Sequence, residues 1–337
     1  MASVKFLKAE AGQQSVFGTP VSPTFQLPFE AEYEDAQQEH AAGWDSGTWT
    51  PVEIVEQVAT HARFRLRGTA FFELLPVFFI AGFADMTPSG SYIYTGATST
   101  TAVGAPRPYT FRFGATGNNI GGTGPAVQIA DAYLESITLA GNINSKEVTL
   151  ESQWFGKQID DNSGAGYAFI GSALPGSIAI LNTVKGALAL KDATTTGGSF
   201  SAMTSVSGAL TDWGLTINTG LRPKWRSDSN QTTFSGVQWV EPSVEFTPTI
   251  VTDSTTYGLV RTKYNARTYQ ELMLTLSGAS SRAAVFKLTG RWTNVPTAHD
   301  RSDGQVVLRP TFTARTPHTQ TTTPHYFGWS FTTSWNH

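Results

Sequence analysis

Residues able to do chemistry are plentiful in this chain, but few of them stand in a spacing that chemistry needs. Glu135 and Glu151 offer two carboxylates, the pair that glycoside hydrolysis places on either side of a scissile bond. Pairs of this kind arise by chance in any strand-rich protein. The six histidines are His40, His61, His299, His318, His325 and His337, and no two stand four apart on a helix. His318 and His325 bracket a Thr-rich loop, which reads as exposed polar sequence rather than a metal site. Asp300-Arg-Ser-Asp303-Gly304 lacks the alternating acids and terminal Glu of a calcium loop and reads as a turn. Gly156-Lys157 has neither the upstream Gly nor the following hydroxyl of a phosphate cradle, and no Gly-x-Ser-x-Gly elbow occurs. Asn230-Gln-Thr232 matches a glycosylation sequon, with no export signal to bring it into use. The absence of cysteine excludes disulfides and thiolate metal sites. These residues predict a protein that is not an enzyme and carries no cofactor or metal.

The same carboxylates make more sense as one face of a strand. Asp131 to Lys157 reads as two strands joined by a Gly141-Asn142-Ile143-Asn144-Ser145-Lys146 connection, too long for a two-residue turn but rich in residues that tolerate positive φ. In the second arm Glu147, Thr149, Glu151 and Gln153 share one side of the pleat, and Val148, Leu150, Ser152 and Trp154 share the other. The first set is expected to be wet and the second packed.

Composition agrees with a β-rich chain. Charged residues are 15% of the 337, aromatics 12% with nine Trp, and Gly numbers 32, a mixture that favours strands and turns over long helices. A net charge of −3 gives no support to a basic surface for tight nucleic-acid binding. The N-terminus has Lys5, Lys8 and Glu10 where a signal peptide would be apolar, so export by that route is not expected. The most apolar run, Phe71 to Phe83, contains Glu73 and Pro76 and falls short of the roughly 20 residues a bilayer requires. It predicts a buried helix over Ala70 to Phe83, and no membrane insertion.

Taken in order, residues 1–28 are polar and punctuated by Gly and Pro, and are expected to form an extended arm. A first domain over 29–165 begins with an alternating strand at Phe29 to Tyr33. Asp35 to Val58, with Trp44 and Trp49, is expected to project as a long loop or hairpin. Arg63, Arg65 and Arg67 share one face of the next strand, either solvated or holding a partner's carboxylates in bidentate pairs. A second domain over 166–337 carries strand patterns at Ala187 to Lys191, Leu210 to Thr219, Ser243 to Val251, Tyr269 to Gly278, Ala283 to Trp292, Gln305 to Arg315 and Tyr326 to Trp335. Leu210 to Gly220 resembles Ala132 to Gly141, which hints at a duplicated domain.

The succession LESITLAGNI then VTLESQWFGKQ resembles the paired strands near the end of the tail-tube domain in major tail proteins of long-tailed bacteriophages. Val16-Phe17-Gly18-Thr19-Pro20 is similar to the opening of many such chains, and a strand followed by a short apolar helix is the order they show. The resemblance implies mainly β domains, each a sandwich or half-barrel with one short helix, whose inner strands join into an oligomeric β-barrel. It further implies a virion protein whose copies form rings stacked into a hollow tube that conducts DNA without binding it. Family rings hold six domains, so two per chain would make a trimer with pseudo-sixfold symmetry. A tape measure and tail-end proteins would be its other partners. On this view Glu147, Thr149, Glu151 and Gln153 line the lumen, where carboxylates and hydroxyls repel or ignore phosphate. Arg63, Arg65, Arg67, Phe17, Trp44 and Trp49 are the expected subunit contacts. The competing expectation is a carbohydrate- or receptor-binding β-sandwich using its Trp and Tyr, although Trp154, Trp213, Trp292 and Trp335 fall inside strand patterns where core burial is ordinary. An outer-membrane barrel is a third, opposed by the helix and the missing signal.

Overall fold

The structure, a computed structural model, describes residues 4–335 apart from 7, 45–51, 85, 87, 90–91, 99–104, 115–125, 161, 163–166, 172, 194–199, 207–209, 226–232, 297–299, 303–304 and 316–325; for 4–8, 34–44, 52–60, 300–302 and 305 only the backbone is described. Its first part contains β1 (Val4–Phe6), β2 (Lys8–Gln13), β3 (Phe25–Leu27), β4 (Glu30–Trp44), β5 (Val52–Thr69), a 3-10 turn at Phe72–Leu74, helix α1 (Leu75–Gly82), β6 (Ile93–Ala97), β7 (Tyr109–Gly114), β8 (Val127–Asn142), β9 (Val148–Gly156) and β10 (Ile159–Asp160). The remainder contains β11 (Gly186–Asp192), β12 (Thr204–Ser205), β13 (Leu210–Asn218), β14 (Leu221–Lys224), β15 (Gly236–Trp239) and β16 (Ser243–Val251). A helical segment follows, α2 (Ser254–Tyr257), a π turn (Gly258–Thr262) and α3 (Lys263–Asn265). The chain ends with β17 (Gln270–Ser277), β18 (Ala283–Asn294), β19 (Asp300–Ser302), β20 (Gln305–Leu308), β21 (Thr311–Ala314) and β22 (Phe327–Thr332). The protein is mainly β.

The two halves repeat one connectivity. In the first, β2 pairs with β3 and β7, β7 with β8, β8 with β9 and β10, β9 with β5, and β5 with β4, all antiparallel. In the second, β11 pairs with β12 and β17, β17 with β18, β18 with β21 and β22, β21 with β16, and β16 with β13, again all antiparallel. Helix α1 follows β5 in the first set, and α2 to α3 follow its counterpart β16 in the second. The correspondence extends to single residues. Phe64, Trp154 and Leu134 lie side by side across β5, β9 and β8, as Phe246, Phe312 and Trp292 do across β16, β21 and β18. A register shift follows immediately in each, between Leu134 and Ser136 and between Trp292 and Asn294.

This pairing corrects one sequence comparison. Leu210 to Gly220 is not the counterpart of Ala132 to Gly141. β13 corresponds to β4 and lies beside β8, with Asp212 to Asn218 antiparallel to Asn142 to Ser136. The two stretches look alike because adjacent strands of one sheet bury the same face, so both alternate in the same sense. Gly141 is required at this seam, since a Cβ there would stand 2.6 Å from the Trp213 indole.

The N-terminal segment is a second correction. Residues 8–27 are not an extended arm, because β2 and β3 sit in the sheet with Ala9, Ala11, Phe25 and Leu27 at 3% exposure or less. Alanine at alternate positions carries little hydropathy, so its burial left no apolar stripe in the sequence. The segment predicted as one strand over Gln305 to Arg315 is β20 and β21, parted at Arg309-Pro310, where proline cannot donate to the ladder. The β14–β15 hairpin and the helical segment at 254–265 were not located from sequence.

Buried side chains from Ala9 to Phe331 form one continuous core. Helix α1 is its pivot, with all eight residues buried. Phe78 meets Trp154 at 5.7 Å on one side, while Phe79 and Phe83 meet Trp329 at 5.1 and 4.9 Å on the other. Such an evenly apolar helix has no wet face, because it lies inside rather than upon the fold. At its start, the buried Glu73 carboxylate receives Arg282 Nε (2.5 Å), Ser334 Oγ (3.1 Å) and the Ala179 N–H (2.8 Å). That cluster ties the first half, the connection between halves and the second half together.

Candidate functional site

Neighbouring strands β4, β5, β9, β8, β13, β16, β21 and β18 form one stretch of sheet, and their register lays residues out in ranks across it. One rank reads Glu30, Arg67, Glu151, Thr138, Thr216, Glu245, Thr313, Arg291, each opposite the next. None of the eight is buried. The neighbouring rank reads Ala31, Leu66, Ser152, Ile137, Ile217, Val244, and every member is at most 1% exposed. Ser152 is tolerated there because it accepts the Trp154 indole N–H at 2.9 Å and lies 3.4 Å from the Leu66 carbonyl, to which it donates. Period-two alternation thus holds across both halves and makes this sheet face polar along these ranks, up to Tyr133 and Phe155, which are buried with Leu221 and Phe234.

The four lining candidates stand on this face. Glu147, Thr149 and Gln153 are exposed and Glu151 half-exposed, while Val148, Leu150, Ser152 and Trp154 are buried. Thr69 donates to Glu147 (3.2 Å), and Thr149 donates to the Ala140 carbonyl (3.3 Å). Arg63, Arg65 and Arg67 are exposed on the same face, one strand away. Arg65 Nε stands 3.5 Å from Glu151, and the register sets Glu30 opposite Arg67 and Glu32 opposite Arg65. The arginines therefore belong with the carboxylates in one field of alternating charge. Both groups of the Arg65–Glu151 pair remain more than two-fifths exposed, so solvent screens it to at most about 1 kcal/mol.

Beyond β9 the face is mostly hydroxyl. Thr138 and Thr216 hydroxyls meet across the β8–β13 seam at 3.4 Å, Thr293 and Thr313 meet at 2.9 Å, and Thr247 donates to the Gly214 carbonyl. At the far end of the seam Asn142 donates to Asp212. Sequence reasoning had not singled out these residues. The alternation Ser243-Val-Glu245-Phe-Thr247 carries the same signal as β9, and Val244 and Phe246 are fully buried between its exposed members.

Phe17 is engaged within its own chain. It is half-buried, with its ring 5.7 Å from Phe234 and under Lys157 Nζ at 4.5 Å. The adjoining turn is held by Asp131, which is fully buried at φ 52° and accepts the Gly18 N–H at 2.7 Å and Lys157 Nζ at 2.9 Å. Nearby Tyr133 is pushed well above the ordinary phenol range, first by burial and then by the Asp131 charge. Trp44 lies opposite Val52 at the end of the paired backbone of the β4–β5 hairpin, its side chain outside the described residues, as is Trp49 altogether. Trp154, Trp213 and Trp292 are core residues at 3% exposure or less. Trp225, at 40%, is exposed.

Among the described residues no three metal-ligating side chains gather, and no helix is long and apolar enough to cross a membrane. Glu135 and Glu151 stand on adjacent strands with their carboxylates engaged separately, Glu135 with Arg222 and Glu151 with Arg65. Comparison with known proteins finds no family model that matches the chain and no curated protein similar to it.

Proposed function

We propose that this chain is a structural subunit that assembles edge to edge into a closed β-walled ring, and that stacked rings form a tube of the kind found in the tails of long-tailed phages. The observation that carries this reading is the repeated connectivity, two copies of one strand arrangement joined through β8 and β13 into a single sheet with one polar face. A chain that already joins two such units edge to edge has the geometry to continue the pattern with further copies. Three chains would supply six units. The buried face of the sheet is covered by α1 and the side chains of the shared core, so in a closed ring the polar face is the one free to meet an aqueous channel.

The chemistry of that face suits passage of a polyanion. Phosphate is held by clustered cations whose counterions are released on binding. Here each described arginine of β5 faces acidic positions in register, and much of the remaining face offers neutral hydroxyls. The proposed lumen residues are Glu147, Thr149, Glu151 and Gln153, with Thr138, Thr216, Glu245 and Thr247. The partners proposed are further copies of the chain, a tape measure and tail-end proteins, and the location is the virion.

Negative-stain electron microscopy of the purified chain, with light scattering across a concentration series, tests the proposal. Rings or hollow tubes are expected. Monomers at every concentration and salt condition would overturn it.

A further inference from the structure

We infer that strand β1 is a removable cover on the sheet edge that receives the next copy of the chain. The inference deepens the self-assembly reading and rests on it. Its starting point is the residue correspondence between the halves. Tyr33 lies opposite Phe64, and Leu215 lies opposite Phe246, so Tyr33 and Leu215 are equivalent positions. In the second half the outer edge of β13 is occupied by β8, with Leu139 opposite Leu215, Ala140 opposite Gly214 and Gly141 opposite Trp213. In the first half the same edge, on β4, is occupied by β1, with Val4 opposite Tyr33, Lys5 opposite Glu32 and Phe6 opposite Ala31. Both pairings are antiparallel. β1 therefore stands position for position where β8 stands at the internal seam.

The two occupants differ in hold. The internal seam runs through seven residue pairs and is reinforced by the Thr219 N–H and hydroxyl on the Glu135 carbonyl. β1 makes three residue pairs and is joined to β2 across a single residue. The complementary edge also has a local occupant. β18 corresponds to β8, and Val295, which directly follows β18 and is the counterpart of Ile137, has its carbonyl taken by Arg261 Nη1 at 2.8 Å. β17 covers β18 only as far as Gly290, and among the described residues no strand pairs with Arg291 to Asn294 on that side.

Completing the repeat places the β18–β19 edge of a second copy along β4. Ser136 lies opposite Asn218 at the internal seam, and the corresponding residues are Asn294 and Ala36. Further along, Val307 lies opposite Val251 as Thr149 lies opposite Thr69, so Asp300, the partner of Val307, corresponds to Ala140, the partner of Thr149, and Asp300 to Ser302 run beside Glu32 to Glu30. This contact and β1 cannot share the edge, so each copy that joins must release the β1 of its neighbour. An exposed strand edge is an aggregation hazard. A short internal strand that covers it until a longer one arrives keeps the free chain soluble without abolishing assembly.

The chain contains no cysteine, which makes disulfide trapping clean. In the full chain carrying Lys5→Cys and Glu32→Cys, oxidation should hold β1 in place and block assembly, and reductant should restore it. Removal of residues 2–6 should shorten the half-time of assembly by about tenfold, equivalent to about 1.4 kcal/mol of edge pairing lost, with an unchanged far-ultraviolet spectrum. A mixture of Glu32→Cys chains with Asp300→Cys chains should form disulfide-linked dimers on assembly, which a mixture of Glu32→Cys with Ser205→Cys chains should not. If wild-type chains assemble while the oxidised lock assembles equally well, or the truncated folded chain assembles more slowly, this inference falls and the self-assembly reading stands. If neither wild-type nor truncated chains assemble, both fall.

Discussion

Replacing Arg282 by Met should be the most destabilising change of a single polar side chain in this protein. Arg282 is 8% exposed and Glu73 is fully buried, and their contact at 2.5 Å is one of several that the guanidinium makes, including the Ser177 carbonyl at 2.5 Å and Ser334 Oγ at 2.8 Å. Met fills much of the same volume but leaves the Glu73 carboxylate with only the Ala179 N–H and Ser334 hydroxyl. Stranding one member of a buried pair costs about 3–5 kcal/mol. With a urea slope of roughly 3 kcal/mol/M for a chain of this size, the midpoint should fall by about 1–1.7 M. The double variant Glu73→Leu, Arg282→Met buries no charge and should recover much of the loss, so the two single changes should not add. Because one core runs through both halves, tryptophan fluorescence and circular dichroism should report the same single transition in every variant. A cost for Arg282→Met below about 1 kcal/mol, or additive single costs, would refute the reasoning about burial. Two separated transitions in the wild-type chain would refute the shared core.

Trp154→Ala removes a side chain that stacks on Phe64 and touches Phe78 and Phe111, and should cost about 3–5 kcal/mol in urea unfolding. Glu147→Lys with Glu151→Lys should change stability by less than about 1 kcal/mol, yet give assemblies that retain DNA on a filter at low salt and release it as salt rises; no retention would count against a lumen position. Tyr326 is pushed up to about 12 by burial and Tyr133 is raised for the same reason. Unfolded tyrosines ionise near pH 10, so the stabilisation is complete below that pH and is lost as pH rises toward the folded values; phenolate absorbance should appear together with unfolding rather than ahead of it. Asp253 is held below the usual carboxylate range by the Thr256 N–H and hydroxyl. Its contribution is therefore present above the unfolded value near pH 3.9 and fades below it, so acid should loosen helicity at 254–265 in wild type but not further in Asp253→Ala.

Strand positions were legible where a strand has one wet face and one dry one. Ser243–Val251 emerged from sequence with its observed boundaries, and Ala283–Asn294 and Leu210–Asn218 came within two residues. The run from Ala70 to Phe83, apolar but for Glu73, was legible as a helix because it is too long and too even for a half-buried strand. Three features left no such mark. β2 buries alanines, whose small transfer energy hides the alternation. The helical segment at 254–265 buries only Thr256 and Val260, so it has no stripe to find, although Asp253 with Thr256 is a capping box that could have located its start. The correspondence of the halves lies in pairings between distant residues and is almost invisible in residue identity. Phe64, Trp154 and Leu134 match Phe246, Phe312 and Trp292 in place and burial while sharing only one residue type among three positions.

That freedom of identity explains how the polar face can differ between halves on one scaffold. The positions equivalent to Arg63, Arg65 and Arg67 are Glu245, Thr247 and Thr249, because β5 and β16 share the register that aligns Phe64 with Phe246. The first half therefore presents ranks of Glu, Arg and Glu, and the second presents mainly hydroxyls. Counting only the described members of the rank from Glu30 to Arg291, three carboxylates meet two guanidinium groups, a near balance rather than the strongly acidic lining that β9 alone suggests. A channel so lined would act on a polyanion less by repulsion than by offering no uncompensated cation to hold it. The difference is measurable, since repulsion weakens with added salt over a Debye length of about 10 Å at 0.1 M, whereas a compensated wall should pass DNA at rates that hardly depend on salt.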